Sequence, residues 1–136
     1  MPEIIRILLI DDDPAVTQFF AKRLGSNPRY ELLPTNSPHN VLTLAREFQP
    51  HVIVCDIDMD GMDGGEVCKA LAGDKSTATI PFIFLSGLIS AEELKHHKGM
   101  LSGRPLVSKS AKLYEIVQRI EDVVKGIPVS SAGSVR

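Results

Sequence analysis

Two apolar runs, each closed by aspartate, leave this chain few ways to fold. Ile4 to Ile10 (IIRILLI) runs into Asp11, Asp12 and Asp13, and Val52 to Cys55 (VIVC) ends at Asp56. The second run is too short and too β-branched for a helix. Near-continuous hydrophobicity, as opposed to alternation, belongs to strands buried on both faces, which is the condition of a parallel sheet covered by helices. At 136 residues the chain can hold one compact domain with a sizeable core.

The intervening segments supply the helices. Pro14 is a favoured first helical residue, so Asp13 is the expected N-cap, and Val16, Phe19, Phe20 and Leu24 recur at helical spacing until Gly25. Tyr30 to Thr35 reads as a short strand. Ser37-Pro38 opens a second helix with an apolar stripe of Val41, Leu44, Ala45 and Phe48, ended by Pro50. Beyond Asp56 a helix runs from about Gly65 to Ala72, with Val67 and Leu71 inward and Gly73 at its C-terminal position. Pro81 to Leu85 forms a fourth strand that stops at Ser86-Gly87. Ser90-Ala91-Glu92-Glu93 is a capping box and starts a further helix. A short fifth strand, Pro105 to Val107, leads to Lys109. Leu113, Ile116, Val117, Ile120, Val123 and Val124 make the last helix the clearest of all. Five alternations of strand and helix imply an α/β domain over residues 4–125, with a parallel sheet, helices on both faces and right-handed crossovers. Residues 126–136 (GIPVSSAGSVR) read as a mobile tail, either a free end or the start of a linker.

Composition narrows the function. With 15 basic and 17 acidic residues the net charge is -2, which gives nucleic acid no obvious grip. No apolar run approaches the roughly 20 residues needed to span a bilayer, and Met1-Pro2-Glu3 lacks the basic start of a signal peptide, so a cytoplasmic location without membrane contact is expected. Cys55 and Cys68 form no metal or redox motif and are expected to be small buried apolar residues. His39 and His51 sit near element starts, and His96 and His97 point to different helix faces. Solvated or capping roles are expected for all four.

The chemistry concentrates after the VIVC strand. Asp56, Asp58, Asp60 and Asp63 fall together with Gly61, Gly64 and Gly65, which displays the acids on a tight loop suited to gathering cations. Three readings compete. Asp56, Asp58, Asp60 and Gly61 match the opening of an EF-hand, but Val67 holds the position of the bidentate acid, Glu66 stands one place early, and the lead-in is a strand where an EF-hand needs a helix. Asp56-Ile57-Asp58 is similar to the nucleophile motif of Mg2+-dependent phosphatases of the haloacid dehalogenase type. The third reading is a phosphoacceptor aspartate. In doubly wound sheets, ligand groups collect outside the carboxyl ends of the strands where strand order reverses. Asp11, Asp12, Asp56, Ser86 and Lys109 all fall at expected strand ends. Carboxylates brought together repel and stay ionised only beside cations, for which Mg2+ and Lys109 are the natural candidates. A carboxylate so placed can attack a phosphoryl group to form an acyl phosphate, with metal and lysine neutralising charge on the transferring oxygens and Ser86 offering them a hydroxyl.

Together these pieces resemble a response-regulator receiver domain of the CheY-like kind. The matching stretches are Ile7 to Pro14 (ILLIDDDP), Asp56 to Gly64 (DIDMDGMDG), Phe84-Leu85-Ser86 and Lys109, in the order and spacing of the elements from residue 4 to about 125. The resemblance implies a flavodoxin-like (βα)5 sandwich with strand order 2-1-3-4-5. It implies that Asp56 is the phosphoacceptor, that Asp11 and Asp12 bind Mg2+, one directly and one through water, and that the backbone carbonyl of Asp58 completes the metal site. Ser86 and Lys109 would contact the phosphoryl group. The implied partners are a sensor histidine kinase or histidine phosphotransfer protein as donor, and a downstream effector meeting the surface formed by the helix at Ser90, the fifth strand and the last helix. A homodimer is left open. The implied chemistry is limited to the chain's own phosphorylation and autodephosphorylation, so turnover as an enzyme is not expected. The phosphatase alternative has its nucleophile strand first and its acidic pair last, whereas here Asp11-Asp12 precedes Asp56. A pseudo-receiver, folded alike but never phosphorylated, would normally lack one of the five groups, and none is missing.

Three positions depart from the family pattern. Asp60 stands where proline is usual and is expected to alter Mg2+ affinity or phosphoryl lifetime. Ser110 follows Lys109 where the family has proline after a cis bond, so cis and trans are both open. Leu106 replaces the usual Tyr or Phe three residues before the lysine, and any switch must then rely on Ser86 displacement and reshaping of Gly87 to Leu106.

Overall fold

In the computed structural model, which describes residues 3–87, 100–101 and 103–126, strands and helices alternate as β1 (Ile5–Ile10), α1 (Pro14–Gly25), β2 (Tyr30–Thr35), a 3-10 turn (Pro38–Asn40), α2 (Val41–Phe48), β3 (Val52–Asp56), α3 (Gly64–Ala72), β4 (Phe82–Ser86), β5 (Met100–Leu101), β6 (Arg104–Ser108) and a C-terminal helix (Leu113–Val124). The sheet order is β2-β1-β3-β4-β6-β5. All pairings from β2 to β6 are parallel, in the order expected, with β6 in the place of the fifth strand. The two-residue β5 was not expected. It runs antiparallel to β6, Met100 opposite Pro105 and Leu101 opposite Arg104, and Gly103 at φ 75° supports the turn between them. Two residues carry no periodicity, so such a strand leaves no trace in sequence.

Both faces of the sheet are covered, as the unbroken apolar runs require. Ile5, Ile7 and Leu9 of β1, with Val52 and Val54 of β3 and Ile83 and Leu85 of β4, pack against Phe20 and Leu24 of α1 and Ile116 and Ile120 of the C-terminal helix. The alternate residues Leu8, Ile10, Ile53, Cys55, Phe82 and Phe84 pack against Val41 and Ala45 of α2 and Val67 and Leu71 of α3. Each such fully buried aliphatic side chain contributes about 1.5–3 kcal/mol, so the sheet is anchored from both sides. The carboxyl ends of the strands are therefore held rigidly, and the loops that follow them start from fixed points.

Helix boundaries confirm some expectations and correct others. The Asp13 carboxylate accepts the Ala15 N–H at 3.0 Å, capping α1 as expected. Phe19, however, is 51% exposed. The inward stripe of α1 is Thr17, Phe20 and Leu24 with Val16 beside it, and Phe19 lies about 100° of helix rotation away from Phe20. The segment at Ser37-Pro38 begins as a 3-10 turn, with no cap bond from the Ser37 side chain, and α2 proper starts at Val41. Gln49 closes α2 in the left-handed region at φ 49°. Gly73 sits at the end of α3 with φ -82°, so the conformational freedom of glycine goes unused there. The capping box expected at Ser90-Glu93, together with His96, His97 and residues 127–136, lies outside the described residues.

Candidate functional site

The carboxyl ends of β1, β3, β4 and β6 deliver the polar residues. Asp11 follows β1, Asp56 is the last residue of β3, Ser86 the last of β4, and Lys109 follows β6. Strands β1 and β3 are neighbours, whereas the chain between them visits the outer strand β2. The crevice between their ends is thus the topological switch point, where this class of sheet gathers ligands.

The side chains converge there. Carboxylate oxygens of Asp11, Asp12 and Asp56 all lie within 4.8 Å of one another. The Lys109 Nζ donates to Asp11 Oδ2 at 2.7 Å and pairs with Asp56 Oδ1 at 2.9 Å. Asp56 is 4% exposed, so the ion pair is largely withdrawn from water. Asp11 Oδ1 accepts the Asp13 N–H at 3.0 Å, and Asp12 Oδ2 accepts the Asp60 N–H at 3.0 Å. The buried Ser86 lies at the same edge, and its carbonyl accepts the Lys109 N–H at 2.8 Å, which ties the ends of β4 and β6 together and brings the lysine over the crevice.

The loop after β3 divides its acids by role. Asp56 turns into the crevice, while Asp63 caps α3, its carboxylate accepting the Glu66 N–H at 2.9 Å and its own N–H donating to Glu66 Oε1 at 3.2 Å. Asp58 and Asp60 have exposed side chains. Gly64 is what lets this loop fold back beneath the site. Its N–H donates to the Ile57 carbonyl at 2.8 Å, and a Cβ at this position would collide with the Asp56 carbonyl oxygen.

Burial is the largest influence on Asp56 and pushes its carboxyl above the usual range; Lys109 opposes this and Asp11 reinforces it. Burial likewise works against the Lys109 ammonium, but Asp11 and Asp56 outweigh it and hold its pKa above the ordinary value. Three carboxylates thus face one ammonium. The donor set is all oxygen and its negative charge is only partly neutralised, which fits a hard divalent cation such as Mg2+.

Of the expected site residues, Asp11 and Asp56 meet Lys109, Asp12 joins the same cluster, Ser86 lies beside them, and the Asp58 side chain faces outward. Sequence reading missed the two backbone donors, Asp13 N–H and Asp60 N–H, because main-chain hydrogen bonds to side chains carry no residue signature. The Lys109-Ser110 bond, left open as cis or trans, is trans; the described residues contain no cis peptide. Leu106 is buried on β6, paired with Phe84 of β4. Cys55 is buried as expected, and burial pushes its thiol well up. His51 is half-buried, and its Nδ1 accepts the Arg6 N–H at 2.9 Å, at the opposite edge of the sheet.

The class defined by this fold and site is a doubly wound α/β protein with an acidic, lysine-bridged crevice at its switch point. A family model described as response regulator receiver domain matches residues 7–121, and the chain belongs to that family. The haloacid dehalogenase alternative is thereby set aside. Among curated proteins the chain is similar to the DNA-binding dual master transcriptional regulator RpaA of Synechocystis, 35% identical over 61% of this chain and 34% of that protein. It is also similar to the heme response regulator HssR of Staphylococcus aureus, 27% identical over 93% of this chain and 54% of that protein. The chain thus spans about a third to a half of the length of these relatives. Among solved structures, a response regulator from Desulfuromonas acetoxidans superposes with a TM-score of 0.71 at 25% identity, covering 90% of this chain and 98% of that one. A putative response regulator from Chloroflexus aurantiacus gives 0.76 at 23% identity over 90% and 98%, and shows the shared fold. No helix among the described residues is long and apolar enough to cross a membrane.

Proposed function

We propose that this chain is the phosphoacceptor receiver of a two-component phosphorelay, located in the cytoplasm, with Asp56 as the residue phosphorylated. The observation that carries this reading is the pairing of one lysine with two carboxylates from different strands: Lys109 Nζ stands 2.7 Å from Asp11 and 2.9 Å from Asp56. Here it orients the Asp56 carboxylate and stands ready to meet the oxygens of an incoming phosphoryl group.

In the reaction, an Asp56 carboxylate oxygen attacks the phosphorus of a donor phosphohistidine. The P–N bond breaks, an acyl phosphate forms, and the leaving imidazole takes up a proton. Asp11, Asp12 and Asp56, with the backbone carbonyl of Asp58, would hold Mg2+, which when bound neutralises charge on the transferring oxygens. Ser86 supplies a hydroxyl to one of those oxygens, and Lys109 shifts from the bare carboxylate to the phosphoryl group. The chain's chemistry is its own phosphorylation and dephosphorylation, not turnover of an external substrate.

The donor is a sensor histidine kinase or histidine phosphotransfer protein. A recess of about 390 Å³, lined by Ala15, Val16, Phe19, Phe20 and Lys109, opens beside the site, and the exposed Phe19 ring at its rim offers an apolar anchor to such a partner. The output is read by an effector at the surface of β6, the C-terminal helix and the segment before them. The test is Mg2+-dependent labelling by acetyl phosphate, read by intact mass. Wild type gains one phosphoryl group in the presence of Mg2+, and Asp56→Asn gains none. Equal labelling of both proteins would exclude Asp56 as the acceptor.

A further inference from the structure

The three acidic side chains of the site are not held equally. Asp11 is fixed through both oxygens, Oδ1 by the Asp13 N–H and Oδ2 by Lys109. Asp56 is fixed by Lys109. Asp12 is half-buried, and among the described residues its carboxylate accepts a single hydrogen bond, from the main-chain N–H of Asp60 at 3.0 Å. That donor lies 48 positions away in sequence, on the loop after β3. The Asp60 side chain itself faces solvent. The residue therefore presents its carboxylate outward and its amide inward, and only the amide touches the site.

We propose that the Asp60 main-chain N–H is a positioning group for the metal site, setting the orientation in which the Asp12 carboxylate meets a divalent cation. The inference rests on the reading of Asp11, Asp12 and Asp56 as the Mg2+ site. It also reassigns the departure at position 60: what matters is the hydrogen-bond donor that proline lacks, not the added negative charge. A carboxylate steered by one charge-assisted bond is preorganised for its ligand, and groups that orient metal ligands in this way tune affinity without touching the ion.

Two substitutions separate amide from charge. Asp60→Ala keeps the N–H and removes the carboxylate; Asp60→Pro removes both. Mg2+ titrations followed by amide NMR shifts should show Asp60→Ala binding as tightly as wild type or tighter, and Asp60→Pro weaker by roughly tenfold. Wild-type affinity in Asp60→Pro, or equal weakening in both variants, overturns the proposal. Because proline could disturb the loop, a second measurement leaves residue 60 intact. The Asp60 amide of the wild-type chain should exchange with solvent deuterium slowly for so exposed a loop residue, and Asp12→Ala should release it to the rate of a free amide. Free-amide exchange in the wild type overturns the proposal directly. A wild type that binds no Mg2+ sinks both this inference and the metal site it rests on. A wild type that binds Mg2+ and is labelled at Asp56, with Asp60→Pro unaltered, sinks this inference alone.

Discussion

The two edges of the same sheet treat buried polar groups in opposite ways. At the amino-terminal edge polar groups are matched to partners. Arg6 Nε donates to the Phe48 and Gln49 carbonyls at 3.0 Å, closing the end of α2, while its backbone exchanges hydrogen bonds with His51. Tyr30 Oη donates to Glu121 Oε2 at 2.7 Å and Arg29 donates to the same carboxylate, fastening the start of β2 to the C-terminal helix. At the carboxyl edge Asp11, Asp12 and Asp56 cluster together, and one ammonium, that of Lys109, pairs with two of them. The first arrangement spends polar groups on stability. The second leaves charge unbalanced, and that imbalance is what a cation and a phosphoryl group can relieve.

The contrast can be broken or sharpened at five points, taken from the largest expected effect down. Lys109→Met should destabilise the metal-free protein by about 2–3 kcal/mol, because the buried Asp11 and Asp56 carboxylates lose the ammonium that pairs with both; in chemical denaturation, added Mg2+ should recover most of that loss. An equal loss with and without Mg2+ would mean that the edge is not a cation site. Gly64→Ala drives a methyl into the Asp56 carbonyl and should cost about 1–3 kcal/mol while also slowing phosphoryl uptake, measured by thermal melting and acetyl phosphate labelling together. At the other edge, Tyr30→Phe removes a bond to a charged acceptor and should cost about 1–2 kcal/mol with labelling untouched.

Asp56→Asn carries the opposite sign. Burial raises the Asp56 pKa in the folded chain, so ionisation of this residue at neutral pH works against folding. Its removal should stabilise the Mg2+-free protein by ~1 kcal/mol in a denaturant titration, as expected where function is held against stability. A clear loss of stability would contradict the assigned imbalance. The smallest effect is the acid response of His51. Burial and the Arg6 charge lower its pKa in the folded state. A depressed folded pKa contributes stability that is complete above the unfolded value and is lost as pH falls, since protonation of Nδ1 ends its acceptance of the Arg6 N–H. Between about pH 7 and about pH 5, His51→Gln should therefore lose less stability than wild type, measured by urea midpoints.

Much of this was legible beforehand for identifiable reasons. The runs at Ile4 to Ile10 and Val52 to Cys55 foretold β1 and β3 to within a residue, because only strands buried on both sides tolerate such sequences. Asp13 before Pro14 foretold the cap of α1. Phe19 shares the helical spacing of Val16, Phe20 and Leu24 yet is exposed, because which flank of such a stripe faces the sheet is settled by packing. The role of His51 was invisible, since its partner is a main-chain amide 45 positions away.

What the sequence determined by itself was the alternation of elements, the direction of the parallel sheet and the list of residues at its carboxyl edge, because periodicity and strand-end chemistry are local. What only the tertiary structure decided was who holds whom: Lys109 between Asp11 and Asp56, the Asp60 amide on Asp12, and Gly64 folded beneath the Asp56 carbonyl. Those contacts join segments far apart in the chain. Their geometry comes from the strand order and the rigid two-sided packing of the sheet, which no local pattern encodes.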